Sequence, residues 1–355
     1  PVGVLNARRT EQRPFTDLEL AALETFAAQA AIAVETTRLF GELRERDDRR
    51  RRELERAAAI QQRLLPSSIE GWPGVLEIAH RFRPAVETSG DFFDVLPLTP
   101  SRPGDLPPLQ VAVGDVAGKG KSAALVTALA RSALHAGASV PTGLATPATT
   151  LRLAGQRLHR DVGTGHFVAC ALAVVEPPGL LNAGPLLRVS NAAQVPVLLC
   201  RAGTSTEIEP PGDRLPLGAR ADGAYRDADV ELRPGDTVVF SSDGLVEAPS
   251  LPTTAVPADL PPPDHPGAFF GFARFAASAT HWSQHAASAE DIAAGIWSDL
   301  TAWCGDQSHQ GFPTGDLDDM TLLVLRVPRY PPGSYPGYDR AGGRARAVTD
   351  LSFRL

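Results

Sequence analysis

Lysine is almost missing from this chain: of its 34 basic residues only Lys119 and Lys121 are lysine. With abundant alanine, glycine and proline, that bias points to a GC-rich coding sequence, and no function is drawn from it. Cysteine is scarce too. Cys170, Cys200 and Cys304 are far apart, odd in number and outside any C-x-x-C spacing, so neither a disulfide framework nor a zinc knot is indicated and a reducing cytoplasm fits best. No stretch approaches ~18 uninterrupted apolar residues, and no basic region followed by an apolar core opens the chain, so neither a membrane span nor a signal peptide is expected. Excess positive charge is also lacking. A net charge of −7 and a pI near 5.7 argue against a nucleic-acid partner.

What remains is ordinary for a soluble globular protein: 355 residues, 43% hydrophobic and 21% charged, enough for one large domain and a smaller segment. The abrupt opening Pro1-Val2-Gly3-Val4-Leu5 suggests a fragment.

A short strand ending near Ala7 is expected first, then a helix capped by Thr16 or Asp17. Leu20, Leu23, Ala27, Ala30, Val34 and Thr37 recur at three- and four-residue spacing, the seam of a helix packing along another helix. The pattern then enters the charged run 42–53, which reads either as a solvated helical linker or as a coiled coil. Leu54, Ala57, Ala58, Ile60, Leu64 and Leu65 follow before Pro66 stops the helix, and a dimeric regulatory helix is expected there.

From about Ile69 the rhythm becomes strand-like, at 76–82, 92–98 and 109–115. Helices are predicted over 122–136, 147–160 and 289–304, and strands over 167–175, 186–190, 197–201, 230–232, 237–243 and 320–327. Hairpin-like turns in place of repeated strand-helix-strand crossovers favour an α+β sandwich of antiparallel strands. The proline-rich 248–266 reads as a loop, and 328–355 as a loosely held tail.

Four acidic signatures stand beside apolar strand-like runs: Ser89-Gly90-Asp91-Phe92-Phe93-Asp94, Gly114-Asp115-Val116-Ala117-Gly118-Lys119-Gly120, Ser242-Asp243-Gly244 and Asp318-Asp319-Met320-Thr321. A lone Asp beside Gly is usually a turn residue. Four at strand ends read together as a two-metal site, because clustered carboxylate oxygens suit magnesium or manganese better than zinc. The chemistry implied is hydrolysis of a phosphate ester. Two other signals are weaker. Gly120-Lys121-Ser122 fails the nucleotide-binding loop spacing because position 115 is Asp. His281 and His285 stand four apart but lack a third ligand, and Trp282, Trp297 and Trp303 read as core.

These signatures, with Arg83-Pro84-Ala85, Ala123-Ala124-Leu125, Phe167-Val168-Ala169, Leu215-Pro216-Leu217-Gly218 and Leu245-Val246-Glu247-Ala248, resemble in order the metal-dependent 2C-like (PPM-type) protein phosphatases. The branch is the bacterial one typified by the stage II sporulation E phosphatase and the regulators of stress sigma factors. The resemblance spans roughly 54–327. It implies a sandwich of two antiparallel sheets flanked by helix pairs and preceded by a long helical linker, with a phosphatase domain over 67–328, a linker over 41–66 and a tail over 329–355. Residues 15–40 resemble the closing strand and last helix of a GAF sensor domain, so 1–40 is read as its remnant.

The resemblance implies that Asp115 bridges two Mn2+ or Mg2+ ions, that Asp243 and Asp318 complete one, and that Asp91 with the Val116 carbonyl serves the other. A water bridging the ions is then the nucleophile. Asp94, Asp319 and Gly244 are candidates for orienting ligands or waters, with simple capping as the other reading of the two aspartates. Arg83 is a candidate for the substrate phosphate, against a surface salt bridge. The expected substrate is a phosphoserine or phosphothreonine, on a STAS-type anti-sigma-factor antagonist, under sensor control. A non-catalytic docking module is the alternative. One departure stands out: the family's Asn-Ala-Gly-His is here Asn191-Ala192-Ala193-Gln194, and the leaving-group acid is unassigned.

Overall fold

In the computed structural model the described residues are 2–8, 10, 13–66, 69–85, 89–100, 102–118, 121–138, 146–163, 165–179, 184–250, 268–304 and 318–329. The chain divides into two units, Pro1–Arg56 and Ala57–Leu355. The first holds most of helix α1 (Asp17–Leu64). Thr16 starts it with a reciprocal cap: its backbone N–H donates to the Glu19 carboxylate at 2.8 Å while Glu19 N–H donates to Thr16 Oγ1. Arg38 pairs with Glu35 and Glu42 on the surface, and Leu18, Phe26, Ile32 and Phe40 are exposed along the helix. Residues 2–8 form no strand, contrary to the sequence expectation. A single extended segment needs a paired neighbour for its backbone groups, and none is present among the described residues. The side chains of Leu54, Ala57, Ala58, Ile60 and Leu64 lie outside what is described.

The second unit is built of β1 (Glu77–Arg83), β2 (Phe92–Pro97), β3 (Leu109–Val116), α2 (Lys121–Ala138), α3 (Pro147–Val162), β4 (Val168–Glu176), β5 (Leu186–Ala192), β6 (Val197–Arg201), β7 (Thr204–Ile208), β8 (Ala228–Glu231), β9 (Thr237–Ser241), α4 (Asp243–Val246), α5 (Gly271–His285), α6 (Ala289–Cys304) and β10 (Met320–Arg326). Two five-stranded sheets result, in the orders β1-β10-β9-β6-β7 and β2-β3-β4-β5-β8, with every described strand pair antiparallel.

Strand alternation assigns each residue to a layer. Val111, Val113, Ala171 and Ala173 meet Val238, Phe240, Leu323 and Leu325 between the sheets. Their neighbours Leu322, Val324 and Val239 face the other way, onto α5 and α6 through Phe275, Ile292 and Trp303. On the second sheet Phe92, Ala112 and Leu172 face α2 and α3 through Ala130, Leu134, Leu151 and Leu158. Both faces of the central strands are therefore covered, which is why β10 and β4 read as unbroken apolar runs. Each fully buried Leu or Phe here contributes about 1.5–3 kcal/mol relative to exposure.

Local signals set the helix ends. Thr146 caps α3 through its side chain, Pro147 opens it and Gly163, at φ 76°, closes it. Trp303 is buried and donates to the Ala248 carbonyl at 3.0 Å, and Trp282 and Trp297 pack partly buried on the same core, as expected. His281 and His285 stack on α5, where His285 Nδ1–H donates to the His281 carbonyl. Burial pushes the thiol of Cys170 up to about 12 and those of Cys200 and Cys304 up to about 11, so all three behave as packing residues. No described helix is long and apolar enough to cross a membrane. Most of the loop read over 248–266 and the tail after Arg329 lie outside the described residues.

Candidate active site

The two sheets bring their acidic strand ends to the same end of the sandwich. Asp91 immediately precedes β2, and the register Phe92 opposite Gly114 sets it beside Asp115 near the end of β3. Asp243 opens α4 just after β9; Leu322 opposite Ser241 sets it beside Asp318 and Asp319, which precede β10. Hydrogen bonds then join the sheets. Thr321 Oγ1 donates to Asp91 Oδ2 at 2.6 Å. The Asp319 carboxylate accepts the backbone N–H of Ala85 at 2.7 Å and of Gly90 at 2.6 Å. Within the β10–β9 side of one sheet, Ser242 N–H donates to the Thr321 carbonyl and Thr321 N–H to Ser242 Oγ. Asp319 thus orients the loop that carries Asp91, an action on the site through backbone and not on a substrate.

Two glycines make the approach possible. A Cβ on Gly90 would stand 2.8 Å from both Asp115 Oδ1 and the Val116 carbonyl oxygen. The glycine therefore leaves open a space bordered by two hard oxygen donors. A Cβ on Gly244 would come within 2.1 Å of the Asp319 carbonyl, so α4 could not sit against β10 with any other residue there. From α2, Thr127 Oγ1 donates to the Gly90 carbonyl at 3.3 Å.

The electrostatics are those of crowded acids. Burial raises Asp91 well above the carboxylate range, with the charge of Asp115 next. Asp115 is raised to about 7 by burial, then by Asp243, Asp318 and Asp319. Asp243 is raised by burial and by Asp318. Glu247, one turn beyond, is raised by burial and by the charges of Asp243 and Asp318. Carboxylates that repel one another about the buried Asp91 and the part-buried Asp115 and Asp243 have a clear complement, cations with a preference for oxygen. The donor set, and the space at Gly90, fit hard divalent ions. Asp318 is exposed, and among the described residues no three ligand-type side chains already close round one point.

The other residues singled out in the sequence lie as follows. Asp94 is buried and faces α2, where Arg131 Nη2 donates to it at 3.1 Å and His135 Nε2 makes a second, short contact. It anchors β2 to α2. Arg83 ends β1, exposed, opposite Met320, with its charge felt at Cys304. Lys119 and Gly120 lie outside the described residues. The turn 191–195 reaches the same end of the sandwich, since Ala192 and Gly114 both face Cys170. Asn191 holds the turn, accepting from Gln194 N–H at 2.8 Å and donating to the Gln194 carbonyl, and Ala193 sits at φ 62°. Thr321, Ser242 and Glu247 were quoted within signatures without a role of their own; for the first two the available signal was a hydroxyl within two residues of a signature aspartate.

Comparison with known proteins bears on the fold and the family. The fold is that of the SiaA-PP2C domain of Pseudomonas aeruginosa, 21% identical over 78% of this chain and 96% of that one, with a TM-score of 0.56. It is also that of a Mycobacterium tuberculosis protein with RsbU and RsbW domains, 25% identical over 72% of this chain and 62% of that one, with a TM-score of 0.52. Residues 108–328 match the family described as Stage II sporulation protein E (SpoIIE). That segment holds three of the four acidic signatures and most of both sheets, and the chain belongs to this family of PP2C-type serine/threonine protein phosphatases.

Proposed function

We propose that the chain removes phosphate from phosphoserine or phosphothreonine with two divalent cations, Mn2+ or Mg2+, held by Asp91, Asp115, the Val116 carbonyl, Asp243 and Asp318. One observation carries this reading: acidic residues from four strand ends lie at one end of the sandwich, near enough that burial and the charges of Asp243, Asp318 and Asp319 raise Asp115 to about 7. When bound, such ions neutralise charge growing on phosphoryl oxygens and lower the pKa of a water, so no protein nucleophile is required. The chain's own residues supply position. Thr321 fixes Asp91, Asp319 fixes the 85–91 loop, and Gly90 keeps the space beside Asp115 open. Arg83, at the β1 end of the same edge, is the candidate for the substrate phosphate.

The substrate class is read as a STAS-type anti-sigma-factor antagonist. Support comes from the RsbU-containing neighbour, in which RsbU and RsbW domains share one chain. The exposed apolar positions of α1 support a homodimeric helix that passes a signal from a GAF-like sensor, with 41–66 as linker and 67–328 as the phosphatase domain. Mn2+ titration followed by electron paramagnetic resonance tests the metal reading. Two ions per chain are expected for the wild type and weakened binding for Asp115→Ala; equal binding by both would refute the ligand set.

A further inference from the structure

The sandwich end away from the carboxylates carries a groove of about 400 Å3 between residues 70–78 and the start of α6. Trp72 and Leu76 are its buried floor, beside Pro73 and Ile78, and Glu70, Glu77 and Glu290 supply its charge. Glu77 is engaged, its Oε2 accepting the Ala289 N–H at 2.9 Å. Glu290 pairs with Arg81 at 2.7 Å yet its side chain keeps 66% exposure, and Glu70 is exposed. The groove is apolar below and acidic above.

β10 ends at this same end. Arg326 faces Glu77 across the β1–β10 ladder, and Val327 to Arg329 pass the turn at Gly235. The residues that follow have the complementary chemistry. Tyr330, Tyr335 and Tyr338 are three of the chain's four tyrosines, set among Pro331, Pro332 and Pro336, and Arg340, Arg344 and Arg346 come next. We propose that the groove is the docking site of the chain's own segment 330–346, its tyrosine and proline rings on the floor and its arginines against Glu70 and Glu290.

Three physical points carry this. Proline- and aromatic-rich segments lose little conformational entropy on entering a groove with an aromatic in its floor. A guanidinium forks onto a carboxylate with better geometry than an ammonium, and this tail has arginine only. Reach is ample: adjacent strands are about 4.8 Å apart, so the groove lies on the order of 10 Å across the sheet, whereas nine extended residues span about 30 Å. Attachment through β10 also raises the effective concentration to about millimolar, which populates a contact too weak to form between separate molecules. The proposal is independent of how the carboxylate end is read.

The test uses the full chain with Tyr335 replaced by a benzophenone-bearing amino acid. On illumination, cross-links are expected to map to residues 70–78 or 288–290 of the same chain, with a yield that does not change on dilution and falls several-fold when Glu70→Arg is added. Cross-links that are absent, that map elsewhere, that form only between chains, or that ignore Glu70→Arg would each overturn it.

Discussion

Thr321 Oγ1 donates to Asp91 Oδ2 at 2.6 Å across 230 residues of sequence, joining the residue just before β2 of one sheet to the interior strand β10 of the other. Asp91 is 2% exposed, so its oxygens depend on such fixed donors for orientation. Thr321→Val keeps the shape and removes the donor. Mn2+ affinity is expected to weaken by about 10- to 100-fold, the usual cost of losing a group that orients a ligand, while Thr321→Ser retains it. Calorimetric Mn2+ titration of the two variants checks this; equal affinity for Thr321→Val would mean the bond is structural only.

Stability without metal should depend on pH in a defined direction. Burial and neighbouring carboxylates raise Asp115 from 3.8 to about 7, so between these values the folded chain holds a proton that the unfolded chain has lost. Its contribution therefore declines as pH rises from about 4 to 7 and stays at its lowest above that. The drop is of order 2–4 kcal/mol. Urea unfolding in EDTA at pH 5 and 7.5 measures it. Asp115→Asn is expected to flatten the difference; an unchanged slope in that variant would assign the effect to other acids.

Ala193 occupies the left-handed region at φ 62°, where a Cβ costs about 1 kcal/mol and glycine costs nothing. The resembling family places glycine at this position. Ala193→Gly is expected to raise stability by about 0.5–1 kcal/mol, read as a higher urea midpoint, with no change in Mn2+ binding because Asn191 still holds the turn. A lower midpoint would show that the Ala193 methyl is itself packed.

Much of this architecture was legible because burial on both faces writes itself as apolar runs. β10 and α6 lie within a residue of their sequence-read limits, and Ser89 to Asp94 marked the start of β2. α5 went unread as an element, since its interior, Ala276 to Thr280, is small and weakly patterned, although Phe275 and Ala279 do sit four apart on its buried side. β7 was missed because an edge strand with exposed Thr204, Thr206 and Glu207 offers no apolar alternation. Asp94 read equally as a group orienting ligands or as a cap, and sequence could not show that its carboxylate meets Arg131 on α2. Nor could sequence show that Asp319 holds the Gly90 N–H, a pairing 229 residues long created only when the two sheets meet.

Metal-dependent release of phosphate from a small aryl phosphate, compared between the wild type and Asp115→Ala, tests the two-cation reading most directly. Wild-type activity should require Mn2+ or Mg2+ and fall by about a hundredfold or more in the variant, while circular dichroism in EDTA shows both chains folded. Hydrolysis that persists in Asp115→Ala at wild-type rates, or that proceeds in excess EDTA, would contradict it.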